Sequence, residues 1–222
     1  MSTDPTEPST SGTMAAMADS DDDQGSGKAT AGSDYAARLT ALETARWKRV
    51  LDVQRPYRWN LERLHLGRTL DVGCGIGRNL QNLGPDAVGV DHNAHSIEVC
   101  RQRGLTAYTT QEFLEGSMGQ PETFDAMLCA HLLEHVSQEV ADDIVTQYLP
   151  YLRPGGQVVF ITPQEVGFRS DETHVRWVDR EVAEAHAARH DMSVVRSYSF
   201  PFPRPVGKVF KYNEFVTVAR KG

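Results

Sequence analysis

Residues 69–77 read TLDVGCGIG, a short run ending at Val72 followed by glycine at every second position, Gly73, Gly75 and Gly77, with an acid, Asp71, just ahead of them. Glycine serves two needs in such a place: positive φ in a tight turn, and a backbone that meets a ligand with no Cβ in the way. In an open α/β sheet the turn after the first strand lies against the ligand, beyond the C-terminal ends of the strands. The segment therefore predicts a strand that opens into a ligand-facing loop.

The rest of the chain repeats the rhythm this requires. Strand-like LDV leads to a predicted helix near Arg78 to Leu83. AVGVD (87–91) precedes a helix from Ala94 to Arg103, and LTAY (105–108) follows. FDAMLCAH (124–131), a helix from Gln138 to Tyr151 and QVVFIT (157–162) complete the alternation, with Gly155 and Gly156 as the turn feeding the fifth strand. Apolar strands alternating with helices argue a parallel sheet covered on both faces. After a helix from Asp179 to His190, SVVRSYSF (193–200) and EFVTVAR (214–220) have no helix between them, which predicts an antiparallel pair at the sheet edge. The expected fold is α/β: a Rossmann-like, seven-stranded, mostly parallel sheet.

Composition places the domain limits. Residues 1–34 hold seven acids, one base and almost no large apolar side chain, a composition that cannot bury enough surface to offset ordering. They are expected to be a disordered acidic tail. The tail carries −6 of the chain's net −7, which leaves the body near neutral and gives no electrostatic reason for a nucleic acid partner. Residues 35–66 read as helices, one from Tyr35 to Leu51 and a short one from Trp59 to Leu66, and 67–222 as the main domain. With no signal-peptide pattern and no run of membrane length, the expectation is a cytoplasmic protein without a membrane partner, monomeric or homodimeric. Cys74, Cys100 and Cys129 lie in or beside apolar segments without CxxC spacing and read as reduced thiols.

Spacing narrows the ligand. A dinucleotide fingerprint needs glycine where Arg78 stands, and no GK[ST] follows for a phosphate loop. Asp91, at the end of the second strand, can accept two hydrogen bonds from the vicinal hydroxyls of a ribose. It can also cap the helix that follows, although Asn93 and Ser96 are available for that. With Asp71 in front of the glycines, the ligand reads as a nucleoside bearing a cationic amino group.

In their order, DVGCGIG, VGVD, FDAMLCAHLLEHV and LRPGGQVVFITP resemble the class I S-adenosylmethionine-dependent methyltransferases, over roughly Thr69 to Pro163. The resemblance implies S-adenosyl-L-methionine as cofactor, with Gly73, Gly75 and Gly77 along its methionine part and Asp71 near its amino group. It implies Asp91 at the ribose with His92 beside it, and Thr109 to Glu112 at the adenine, Thr110 and Glu112 included. Many relatives carry an acid directly after the third strand, where this chain has Tyr108, Thr109 and Thr110. Cys74, between the glycines, is expected among the cofactor-binding residues as small filler beneath the loop.

Methyl transfer from a sulfonium needs the nucleophile held in line in a dry pocket, and a hydroxyl nucleophile benefits from a general base. His131 ends the fourth strand, where it meets the cofactor or the methyl group, and His174 lies in the loop beyond the fifth strand. His174 is the expected base and His131 the second candidate, while His135, in LEHV, reads as structural. The loop 164–177 and the segment FPFPRPVGKVFKYN (200–213) are expected to choose the acceptor. In the latter, Phe200, Phe202, Phe210 and Tyr212 with Arg204, Lys208 and Lys211 form either an aromatic wall with a basic rim or ordinary packing. Tyr57, Arg58 and Trp59 are expected to contribute from above the cofactor. The absence of metal-ligand spacing such as NxxH predicts no metal. The expected activity is methylation of a small-molecule acceptor, at oxygen by preference, with an N-methyltransferase or an inactive cofactor-binding module as alternatives.

Overall fold

A computed structural model describes residues 54–222. The acidic tail and the Tyr35 to Leu51 helix lie outside the described residues. Helix α1 (Arg55–Glu62) starts earlier than Trp59 because Pro56 occupies its first turn, where a missing N–H costs nothing. It ends before His65 and Gly67, both at positive φ.

Seven strands follow: β1 (Thr69–Val72), β2 (Val88–Asp91), β3 (Ala107–Thr109), β4 (Phe124–Ala130), β5 (Leu152–Pro163), β6 (Met192–Phe200) and β7 (Glu214–Lys221). They form one sheet in the order β3-β2-β1-β4-β5-β7-β6. The first five are parallel, and β7 runs antiparallel between β5 and β6. The expected antiparallel pair is thus present, with the last strand inserted inside the sheet and β6 left at the edge. Between the strands lie α2 (Ala94–Gln102), α3 (Thr110–Glu115), α4 (Gln138–Tyr148), α5 (Glu165–Arg169) and α6 (Arg180–Arg189).

Side chains along β5 alternate between two cores. Val158 and Phe160 join Ala141, Val145, Ala183 and Ala187 of α4 and α6 on one face. Val159 and Ile161 join Leu61 of α1 and Leu64 on the other. All four residues of β1 are buried, as a central parallel strand covered on both sides requires.

The helix expected at Arg78 to Leu83 is only a single 3-10 turn, Leu80–Asn82. Gln81 Nε2 and Asn82 Nδ2 both donate to the Arg78 carbonyl, at 3.2 and 3.1 Å, and so compete for the acceptor an α-helix would use. Among the described residues no helix is long and apolar enough to cross a membrane.

Candidate active site

Parallel strands β1 to β5 bring their C-terminal ends to one edge of the sheet, and β7, running the other way, begins there. Asp71, Asp91, Thr109, His131 and Glu214 therefore meet at that edge from five strands.

The glycine loop leaves β1 with Gly73, Gly75 and Gly77 at φ of 74°, 52° and 80°. Gly73 N and Cys74 N donate to the Val90 carbonyl at 2.8 and 3.1 Å, folding the loop back over β2. A Cβ at Gly73 would come within 2.9 Å of Leu132 Cδ1, a side-chain end that can shift, so it is chiefly the positive φ that favours glycine there.

Asp91 joins the two ligand-facing loops. Its Oδ2 accepts from Gly75 N and its Oδ1 from Asn93 N, each at 2.8 Å. The helix cap belongs to Asn93, whose Oδ1 accepts from His95 N and Ser96 N. Of the two roles open to Asp91 on sequence grounds, capping α2 is therefore taken by its neighbour. His92 is exposed, with Nδ1 3.4 Å from Asp91 Oδ1.

Asp71 is 1% exposed, and its Oδ2 has no hydrogen-bond partner. Burial, and then the charge of Asp91, push its carboxyl up to about 7. A buried carboxylate oxygen with no partner is costly, and a cation placed against it removes that cost. This orphaned oxygen beside the glycine loop fits the amino group that the family resemblance implies.

The adenine expectation meets a different local order. Thr109 caps α3 through a reciprocal box: Glu112 N donates to Thr109 Oγ1 at 3.2 Å, and Thr109 N donates to Glu112 Oε2 at 2.7 Å. Glu112 also pairs with Arg101 at 2.7 Å. Thr110 Oγ1 accepts from the Tyr148 hydroxyl at 3.3 Å. Glu112 Oε2 is thus engaged by both the cap and Arg101.

His131, the first residue past β4, has φ of 56°, a conformation costly for a side-chain-bearing residue and concentrated at functional sites. Its Nδ1 lies 3.1 Å from Glu134 Oε1 and its Nε2 2.9 Å from Glu214 Oε1. Burial alone would push this imidazole down, but the two carboxylates outweigh it and raise it to about 10. His131 is thus held as a cation with both nitrogens engaged. In this arrangement it is a positive charge between two acids, which favours the cofactor-positioning role expected of it over that of a base.

His174 sits on the loop after β5. Its ring stacks on Phe168 at 5.3 Å and meets His135 edge-on at 4.6 Å. Its Nδ1 lies 2.7 Å from the Phe168 carbonyl, a contact that requires a proton on Nδ1, so the neutral tautomer compatible with it carries its lone pair on Nε2. Val175 N and Arg176 N donate to the Glu134 carbonyl at 2.8 and 3.1 Å, so this loop is stapled to the turn after β4.

The segment 200–213 divides between its two readings. Phe200 is core, packed on Tyr57 and Trp59. Phe202, Phe210 and Tyr212 form a chain of edge contacts at 5.4 and 5.7 Å, with Phe202 47% exposed. Arg204 is not a free rim charge, because it forks onto Glu165 at 2.8 and 2.6 Å and covers Phe215. The segment is pinned by buried Gln164, which donates to the Glu214 carbonyl, and by Asn213, which donates to Gln164 Oε1 at 3.0 Å. Tyr57 of α1 donates its hydroxyl to the Tyr212 carbonyl, which lays α1 against this segment.

Residues 69–156 match the family described as methyltransferase domain. The chain is 32% identical over 103 residues to a ubiquinone biosynthesis O-methyltransferase of Aliivibrio fischeri and 35% identical over 103 residues to one of Methylococcus capsulatus. Each match covers 43% of this chain and 43% of the relative, so the chain matches less than half the length of these curated proteins. The fold superposes on a SAM-dependent methyltransferase from Archaeoglobus fulgidus with TM-score 0.59 at 18% identity, covering 76% of this chain and 94% of the other. It also superposes on the N-methyltransferase NodS of Bradyrhizobium japonicum with TM-score 0.57 at 19% identity, covering 76% and 96%.

Proposed function

We propose that this chain, whose residues 69–156 match a methyltransferase domain, is a class I S-adenosylmethionine-dependent methyltransferase that moves a methyl group from that cofactor to an oxygen of a small-molecule acceptor. The observation that carries the cofactor assignment is the orphaned, buried Oδ2 of Asp71 beside a loop of three positive-φ glycines. When bound, the cofactor supplies an electrophilic methyl on a sulfonium, whose positive charge is lost as the methyl leaves. Asp71 would hold the cofactor's amino group, and Asp91, already bonded to Gly75 N, would orient its ribose. His131, a cation held between the two carboxylates Glu134 and Glu214, fixes the floor of the edge, and because the acids outnumber it the cluster does not repel a sulfonium.

The acceptor side is served by the loops after β5 and β6. His174 acts there through the lone pair at Nε2, and Phe202, Phe210 and Tyr212 offer an apolar, aromatic face. Two observations favour oxygen over nitrogen: an imidazole lone pair at this edge, useful to a hydroxyl and superfluous to a free amine, and relatives named O-methyltransferases.

The test combines binding and turnover. Calorimetry should show S-adenosylmethionine and S-adenosylhomocysteine binding one per chain, and labelled cofactor with metabolite extracts should label a hydroxyl-bearing product. His174→Gln should lower turnover on the order of 100-fold or more and leave cofactor affinity unchanged. A labelled amine, or full turnover in His174→Gln, would refute the oxygen assignment. Absence of cofactor binding would refute the whole reading.

A further inference from the structure

The lone pair of His174 does not stand alone. Glu134 and His135, in the turn after β4, and His174, on the loop after β5, each present one donor atom such that the three lie within 4.8 Å of one another. Glu134 is fully buried; its Oε1 faces His131, and its Oε2 has no hydrogen-bond partner. His135 has its Nδ1 3.2 Å from the Thr173 carbonyl and 3.1 Å from Thr173 Oγ1, and His174 has its Nδ1 2.7 Å from the Phe168 carbonyl. Both rings are thus anchored through one nitrogen by the loop itself, the arrangement by which metal-binding histidines have their free nitrogen aimed.

We propose that Glu134, His135 and His174 bind one divalent first-row transition cation of the zinc type, which clamps the loop after β5 to the turn after β4. Two imidazoles and one carboxylate suit such a borderline cation, whereas magnesium and calcium take oxygen donors. Bonds of about 2.0–2.1 Å to a tetrahedral ion put its ligands about 3.3 Å apart. The donors therefore close by at most about 1.5 Å from their 4.8 Å limit, a movement within reach of a side chain on a loop. Three protein ligands leave the fourth position to water, at the side where the acceptor is proposed to bind. The ion also answers the buried, unpartnered Oε2 of Glu134. The site shares His174 with the proposed oxygen-methylating role: while the ion is bound it takes the Nε2 lone pair, so that nitrogen serves as a base only in the metal-free protein. The binding site stands on the donor set.

A second cluster, Asp142, His186 and His190, also has its donors within 4.8 Å. There the Asp142 Oδ1 already receives the Arg189 guanidinium at 3.1 Å, so a cation occupies the place a metal would take. It serves as the internal control.

The test uses the full chain, stripped with a chelator and dialysed. Zn2+ titrated by calorimetry should bind one per chain, and Co2+ should produce a visible absorption that saturates at one equivalent. His174→Gln and His135→Gln should each weaken Zn2+ binding on the order of 10- to 100-fold or more, while His190→Gln leaves it unchanged. Circular dichroism checks each fold, and His174→Gln, changed on a partly exposed loop, decides the matter if the His135 variant misfolds. Absence of saturable one-to-one binding, equal affinity in His174→Gln, or loss in His190→Gln would overturn the proposal. S-adenosylmethionine titrated into the same samples reads the cofactor site independently, so failure of the metal site and failure of the methyltransferase reading are told apart.

Discussion

A single carboxyl, Asp71, concentrates most of the information at this edge. The acid in front of the glycines was legible in the sequence, where a cationic partner was expected for it; its burial and its lack of a partner at Oδ2 were not, because they depend on β2 and β4 flanking β1. Its carboxyl is raised to about 7 in the fold, above its ordinary value of 3.8. Between those values the native state holds a proton that the unfolded chain releases, so the free protein loses stability as pH rises from about 4 to 7 and then levels off. A cationic amino group prefers the carboxylate, so cofactor binding expels that proton below pH 7. Affinity for S-adenosylmethionine should therefore climb with pH and level off above 7, being on the order of tenfold weaker at pH 6 than at the plateau. Calorimetry at pH 6, 7 and 8 measures this. Asp71→Asn, close in shape, should bind more weakly and with a flat pH profile; a retained slope in that variant would place the titrating group elsewhere.

Among the elements, the loops after β1 and β2 behave as one unit tied by Asp91, and the tie separates two roles that spacing alone left open. Asn93 caps α2, so Asn93→Ala should cost about 1 kcal/mol of stability and little cofactor affinity. Asp91→Ala should cost more stability than a residue at the mouth of a cleft would, about 1.5 to 3 kcal/mol for each charge-assisted bond released from Gly75 N or Asn93 N. It should also weaken S-adenosylmethionine on the order of tenfold to several hundredfold, since the ribose loses its acceptor and the glycine loop loses its anchor. Denaturation curves beside calorimetric titrations of both variants check the pair, and an Asp91→Ala chain with unchanged affinity would remove the ribose assignment. Strands and long helices were readable because their apolar periods are local. What escaped was set by distant partners: Glu214 reaches His131 across 83 residues because β7 runs antiparallel, and no pattern within either segment announces that meeting. The missing helix after Gly77 escaped for the opposite reason, since two amide side chains at Gln81 and Asn82 captured a carbonyl that periodicity assigns to the backbone.

For the molecule as a whole, residues 54–222 supply every strand of the seven-stranded sheet, both core layers and all the groups placed at the cofactor edge. Acidic residues 1–34 carry −6 of the net −7 and almost no large apolar side chain, a composition from which we expect their removal to take away charge and little else. We therefore expect a chain lacking residues 1–34 to melt within about 2 °C of the full chain, equivalent to about 0.5 kcal/mol for a protein of this size. Its S-adenosylmethionine affinity should be unchanged at physiological salt. The one measurable difference should be electrostatic, since the remaining body is nearly neutral: the truncated chain should elute much earlier from an anion exchanger and lose solubility near neutral pH, where a small net charge promotes association. Melting curves, calorimetry and a solubility series on the two chains check these outcomes together. A fall in melting temperature of several degrees, or a weakened cofactor, would make the acidic segment a working part of the fold, and the domain limit at residue 34 would then have to move toward the N-terminus.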